Sequence, residues 1–135
     1  MSLLADKTIL VTGATRGFGK AFCVKAASEG ANLILVSKAV HLNNANKDTI
    51  FTMEDDIKKN GGSAVAVQTD IRYDDQVERA VNVGLEHFGQ LDAVVHAANV
   101  FSASSSVKTD MSSFDLMHQI NLRSFFLLAK FSANH

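Results

Sequence analysis

The sequence predicts an α/β fold built on a doubly wound parallel sheet with helices on both faces. Short apolar runs alternate with segments of helical periodicity along the chain, which is typical of βαβ units. The runs are apolar at every position, as expected of strands that helices cover on both sides. A glycine-rich turn joins the first run to the first helical segment. We expect residues 1–135 to form a single domain.

Four strands and four helices are predicted in alternation. The strands are Thr8–Val11, Leu33–Val36, Ala64–Val67 and Leu91–Val95. The helices are Phe18–Ser28, Thr49–Lys59, Asp74–Phe88 and Met111–Ala133. Glycines follow the first three helices, as is common at helix ends, and Thr109 or Asp110 is the expected cap of the fourth. His41–Lys47 and Ser102–Ser106 are predicted loops.

Composition excludes several classes of function. The 135 residues carry a net charge of −1, so no basic excess favours a nucleic acid as partner. The apolar runs are too short to cross a bilayer, and the N-terminus lacks the pattern of a secretory signal. Cys23 is the only cysteine, which excludes an internal disulfide and a cysteine-rich metal site. We expect no metal and a reducing compartment, cytoplasmic or organellar.

The glycine-rich turn Thr12–Gly19 carries the clearest chemical signal. Gly13 permits a tight turn, Gly17 lets a pyrophosphate approach the backbone, and Gly19 lets the helix pack closely on the strand. The amides at the helix N-terminus then face the phosphates. The turn therefore predicts a dinucleotide site.

The spacing Thr-Gly-x-x-x-Gly-x-Gly resembles the short-chain dehydrogenase/reductase family, and the resemblance covers the whole chain. It implies a Rossmann-type sheet of strand order 3-2-1-4 and an NAD(P)-dependent oxidoreductase acting on a carbonyl/alcohol pair. It also implies that Thr15 and Phe18 contact the cofactor together with the turn glycines.

Further matches follow the third and fourth strands. Asp70 and Ile71 resemble the family's adenine contacts, although Asp70 is equally explained as a cap of the next turn. Asn121 resembles the asparagine that holds a water in the family's proton relay, although an ordinary polar helix residue is the alternative. Small Ala97 and Ala98 suit a backbone that passes close to a ribose.

One departure from the family lies after the fourth strand. The family usually has Asn-Asn-Ala-Gly, where this chain has His96-Ala97-Ala98-Asn99. We expect His96 either to replace the missing amide by hydrogen bonding or to be a satisfied core residue. Asn99 is a residue type that tolerates the left-handed backbone conformation where the family has glycine.

The cofactor is predicted to be NADP rather than NAD. An acidic residue at the end of the second strand usually binds the ribose 2′-hydroxyl, but Ser37 and Lys38 stand there. A lysine attracts a 2′-phosphate, and Arg16 is within reach of the same group. The alternative is that Arg16 and Lys38 are solvated surface cations.

The family's catalytic serine and its Tyr-x-x-x-Lys pair are absent. The only tyrosine is Tyr73, and Val77 follows it four residues later. We expect the C-terminal half of the fold to be missing and this chain alone to lack turnover. The alternative is a non-catalytic nucleotide-binding or oligomerisation module.

The stretches Ser37–Ala39, Thr49–Thr52 and Phe114–Met117 resemble the hydroxysteroid dehydrogenase-like branch, which implies a lipid-like or steroid-like substrate. The last helix is expected to join the chain into a homo-oligomer through its apolar residues Phe125, Phe126, Leu127, Leu128 and Phe131.

Overall fold

The computed structural model of the chain describes residues 2–41 and 48–135. Its four strands form one parallel sheet in the order β3-β2-β1-β4, so the predicted fold class and strand order are confirmed. The predicted loop at residues 41–47 falls almost entirely on residues 42–47, outside the described residues. The strands are β1 Thr8–Thr12, β2 Asn32–Ser37, β3 Ser63–Gln68 and β4 Ala93–His96.

The helices that connect and follow the strands are α1 Gly17–Ser28, α2 Ile50–Lys59 and α3 Asp74–Phe88. The predicted bounds are correct for α3 and differ by one residue at the start of α1 and α2. Thr49 caps α2, because its hydroxyl accepts a hydrogen bond from the amide of Thr52.

The prediction of one uninterrupted helix at Met111–Ala133 is wrong. The segment consists of α4 Met111–His118, a π-helical turn at Gln119–Arg123, and α5 Ser124–Ser132. The Ile120 carbonyl in the turn accepts hydrogen bonds from the His96 ring and the Ser124 hydroxyl. Side chains that compete for a helix carbonyl in this way widen the helix locally.

Two apolar cores lie on opposite faces of the sheet, because alternate side chains of each strand point to opposite sides. Ile9 and Val11 of β1 pack toward α1 and α2, whereas Leu10 packs toward α3 and α5. Each fully buried side chain of this size contributes about 1.5–3 kcal/mol. The helix residues in these cores include Cys23, Ala26, Met53, Ile57, Val77, Val81, Leu127 and Leu128.

The fourth strand begins two residues later than predicted. Leu91 is buried in the core but lies before β4. Asp92 instead binds the start of β1, where its carboxylate accepts hydrogen bonds from the Thr8 amide at 2.8 Å and the Lys7 ammonium at 3.0 Å. Strand pairing therefore starts only at Ala93.

The last helix covers the sheet with one side only. Leu127 and Leu128 are buried against the strands, so these two residues belong to the core. Phe125 and Phe126 are exposed. Among the residues described, no helix combines the length and apolarity that a membrane span needs.

Candidate dinucleotide site at the carboxyl edge of the sheet

A cavity of about 560 Å³ opens at the carboxyl ends of the strands. The strand order reverses there, with β2 and β3 on one side of β1 and β4 on the other. Open α/β sheets bind ligands at such a reversal. The cavity is lined by every residue that the sequence predicts to bind the cofactor: Gly13, Thr15, Arg16, Gly17, Phe18, Gly19, Ser37, Lys38, Asp70, Ile71, Ala97 and Ala98. The structure brings these residues together, and their contact with a cofactor stays a prediction.

The sequence reasoning missed eight further lining residues. Arg72 could have been predicted, because it is a cation directly after Asp70 and Ile71. The spacing of four residues between Leu116 and Ile120 indicates that both side chains lie on the same face of a helix. The missed residues are Val36, Ala39, Thr69, Arg72, Asn99, Val100, Leu116 and Ile120.

Gly13 and Gly19 allow the first turn to pack tightly. Gly13 has a φ of +66°, and a Cβ atom there would lie 2.7 Å from the Ala98 nitrogen. A Cβ atom at Gly19 would overlap the Gly13 carbonyl oxygen. Both positions therefore require glycine to bring β1, α1 and the end of β4 together.

Gly17 has a different role from the other two glycines. Its φ is +53°, and a Cβ atom built there would meet no described atom within 4 Å. It begins α1, and the preceding Arg16 makes no side-chain capping hydrogen bond to the described part of that helix. The first amides of α1 thus face an open cradle with partial positive charge, which fits a pyrophosphate.

The charged side chains that line the cavity follow β1, β2 and β3. Arg16 and Lys38 are exposed, and no carboxylate within residues 2–41 and 48–135 forms an ion pair with either. Asp70 pairs with Arg72 at 2.5 Å. The hydrogen bond from Arg72 is the main cause that lowers the pKa of Asp70, burial opposes it, and the charge of Lys38 adds a smaller lowering effect.

The β4 side of the cavity is held by His96. Its Nδ1 lies 2.7 Å from the Thr12 hydroxyl, and its Nε2 lies 3.1 Å from the Ile120 carbonyl oxygen. His96 thus ties the strands and the π-helical turn together, and with both ring nitrogens bonded it fits either alternative, a replacement for the family's amide or a satisfied core residue. Asn99 does not adopt the left-handed conformation that it could tolerate, because among the described residues other than glycine only Asp6 has a positive φ.

Comparison with known proteins identifies the family. The sequence pattern described as short chain dehydrogenase matches residues 7–135. The chain belongs to the short-chain dehydrogenase/reductase family. This family consists of oxidoreductases that use NAD or NADP.

Individual relatives agree with this assignment. The chain is 36% identical over 127 residues to hydroxysteroid dehydrogenase-like protein 2 of Bos taurus, covering 94% of this chain and 30% of that protein. A short chain dehydrogenase from Mycobacterium thermoresistibile superposes with a TM-score of 0.92 at 32% identity, covering 97% of this chain and 47% of that one. A short chain dehydrogenase from Burkholderia cenocepacia in complex with NADP gives 0.84 at 28% identity, covering 98% and 51%. The chain thus spans less than a third of the curated relative and about half of the solved structures.

Asn121, the residue that resembles the family's relay asparagine, lies in the π-helical turn. Its side-chain amide donates to the Val100 carbonyl at 2.8 Å, and its side-chain oxygen accepts from the Val100 amide at 2.9 Å. The side chain is not among those that line the cavity, but Val100 is. Asn121 therefore fixes the loop that follows β4.

Tyr73 lies outside the cavity. It is half exposed at the start of α3, with the Arg72 guanidinium 5.5 Å from its ring centre, and it is not among the cavity-lining residues. The thiol of Cys23 is buried in the core, and burial raises its pKa to about 12. Within the described ranges, no three histidine, cysteine or acidic side chains come together as a metal-binding group.

Proposed function

We propose that residues 1–135 act as one dinucleotide-binding unit, the NADP(H)-binding portion of a short-chain dehydrogenase/reductase acting on a carbonyl/alcohol pair. The observation that carries this proposal is the single cavity at the strand ends, lined by the twelve residues of the predicted site. The Burkholderia cenocepacia neighbour, whose structure is a complex with NADP, supports the choice of cofactor class.

The pyrophosphate would lie over the open cradle at Gly17. Two features support this: a side chain there would project into open space, and the first turn of α1 offers its amides without a side-chain cap from Arg16. Thr15 and Phe18 would flank the phosphates from the same turn, since both line the cavity.

Arg16 and Lys38 would select NADP over NAD. Both are exposed cations that line the cavity, and Ser37 beside them offers a hydroxyl. A 2′-phosphate gains from these charges, whereas the 2′-hydroxyl of NAD does not. Asp70 and Ile71 would flank the adenine on the same side, and Ala97 and Ala98 would pass beneath the nicotinamide ribose.

When bound, NADP(H) supplies the hydride acceptor or donor. In this chain Asn121 would support the proton relay by holding the loop at Val100, and the family's serine and Tyr-x-x-x-Lys are not found in its sequence. The name hydroxysteroid dehydrogenase-like protein 2, which the Bos taurus relative carries, supports a steroid-like substrate. Turnover would require residues that these 135 positions do not supply.

The alternative is a non-catalytic nucleotide-binding or oligomerisation module. The exposed side chains of Phe125 and Phe126 favour a homo-oligomeric contact through α5. Both interpretations predict that residues 1–135 bind NADPH without oxidising it, so oxidation of NADPH by a ketone or aldehyde on this chain alone would contradict both.

The decisive experiment is a titration with NADPH and with NADH, followed by the fluorescence of the reduced nicotinamide because the chain has no tryptophan. Gly17→Ala should abolish NADPH binding, since its methyl group enters the cradle. Gly61→Ala is the matched control, because Gly61 also has a positive φ and open space around it but lies outside the cavity. Equal loss in both variants, or no binding by the wild type, would refute the proposed function.

A further inference from the structure

Asp70 carries the only carboxylate among the described residues that line the cavity. Three cationic side chains line it as well: Arg16, Lys38 and Arg72. The lining therefore has a formal charge of +2, from three cations and one carboxylate. A carboxylate on this side of the cavity would normally oppose a 2′-phosphate, so its neutralisation matters.

Arg72 engages Asp70 through several hydrogen bonds. Its Nε donates to the two carboxylate oxygens at 2.9 and 3.2 Å, and its Nη2 donates to Oδ2 at 2.5 Å. The Arg72 amide adds a bond to Oδ1 at 3.1 Å. Charge-assisted pairs of this kind are the strongest hydrogen bonds in proteins.

The surroundings hold this pair in place. The Asp70 amide donates to the side-chain oxygen of Gln76 at 2.7 Å, and the Arg72 guanidinium lies beside the Tyr73 ring. The Arg72 carbonyl accepts a hydrogen bond from Arg123 at 2.9 Å. The charge of Lys38 also lowers the pKa of Asp70, but less than Arg72 does, and among the described residues Asp70 forms its ion pair with Arg72 and not with Lys38.

We propose that Arg72 is a specificity-determining residue that favours NADP(H), because it neutralises Asp70 and leaves the charge of Lys38 to the 2′-phosphate. This inference rests on the proposed function of the same site. Without Arg72, the ionised Asp70 would attract Lys38 and repel the phosphate. Only the cofactor with a 2′-phosphate would be affected strongly.

The test is a double-substitution cycle read by the dissociation constants for NADPH and NADH. Arg72→Gln lowers the formal charge of the lining from +2 to +1, and Asp70→Asn combined with Arg72→Gln restores +2. We expect Arg72→Gln to reduce the preference for NADPH roughly fivefold to tenfold. The double variant should recover most of that preference.

Arg79→Gln is the matched control, because Arg79 is an exposed cation of α3 outside the cavity and the variant has the same net charge as Arg72→Gln. It should keep the wild-type preference. Arg72→Lys keeps a charge but loses the forked geometry, so an intermediate preference is expected. This variant replaces Arg72→Gln if the latter melts below the assay temperature.

Two results would overturn the inference while leaving the proposed function intact. One is an unchanged preference in Arg72→Gln. The other is an equal loss in the single and double variants, which would mean that Arg72 acts without Asp70. A wild-type chain that binds neither nucleotide would overturn the proposed function and the inference together.

Discussion

His96 and Thr12 join the carboxyl ends of β4 and β1 through a hydrogen bond of 2.7 Å between Nδ1 and the hydroxyl oxygen. The Ile120 carbonyl can only accept, so Nε2 carries the ring proton and Nδ1 accepts from Thr12. The Thr12 oxygen in turn accepts from the Ala98 amide at 3.3 Å. One neutral imidazole thus orients the β4 side of the cavity.

The stability of the chain should depend on pH through His96. Burial lowers the pKa of His96 from 6.5, and the hydrogen bond to Ile120 partly opposes this. The unfolded chain therefore binds a proton at this residue more readily, so the stabilisation is complete above pH 6.5 and is lost as the pH falls through the lower pKa of the folded state. Urea unfolding across this range measures the effect.

Substitution of His96 should remove that component of the pH dependence. His96→Leu leaves the Thr12 hydroxyl and the Ile120 carbonyl without this partner and should cost about 1–3 kcal/mol at neutral pH. His96→Asn, which restores an amide, should cost less. His87→Asn, at an exposed histidine of α3, should keep the wild-type profile. If the stability of His96→Leu depends on pH in the same way as that of the wild type, His96 is not the source of this pH dependence.

The cofactor preference should reverse when the charge at residue 38 is reversed. Lys38→Asp places a carboxylate at the end of β2, where it repels a 2′-phosphate and accepts from a 2′-hydroxyl. NADPH should bind roughly 10- to 100-fold more weakly, with NADH unchanged or tighter. Lys59→Asp, at the exposed end of α2, is the control. If Lys38→Asp keeps the wild-type ratio of the dissociation constants for NADPH and NADH, the charge of Lys38 does not select the cofactor.

The amide of Asn121 should hold the cavity wall at Val100. Asn121→Ala removes both hydrogen bonds to the Val100 backbone and should lower the free energy of unfolding by about 1–2 kcal/mol. Hydrogen exchange of the Val100 amide should accelerate. Asn82→Ala, at an exposed position of α3, controls for the loss of an asparagine. A Val100 amide that exchanges as slowly in Asn121→Ala as in the wild type would show that the two Asn121 hydrogen bonds do not hold this loop.

The sheet and the cavity were predictable because their signals are local. Continuous apolar runs mark β1 to β3, and glycines at fixed spacing mark the turn where the strand ends meet. Strand β4 was predicted to begin two residues early because Leu91 is apolar. Leu91 packs in the core without pairing in the sheet, and the Asp92 carboxylate accepts a hydrogen bond from the amide at the start of β1.

The parts that were missed depend on contacts between distant segments. The π-helical turn forms where the His96 ring hydrogen-bonds to the Ile120 carbonyl, and the local sequence of the helix does not predict this contact. Arg72 is the exception, because its pairing with Asp70 is local and the cation two residues after Asp70 was a usable signal. Asn99 needs no left-handed conformation, so its difference from the family's glycine carries no strain.

The π-helical turn also constrains how this segment can change in length. A π turn corresponds to one extra residue in an α-helix, and each residue rotates the following helix by about 100°. The turn absorbs that extra residue, so straightening Gln119–Arg123 into α-helix without shortening the chain would rotate Leu127 and Leu128 away from the sheet. Deletion of one residue from the turn should instead leave a regular helix that keeps both leucines on the sheet, so we expect related chains to differ by one residue here only where the turn is absent.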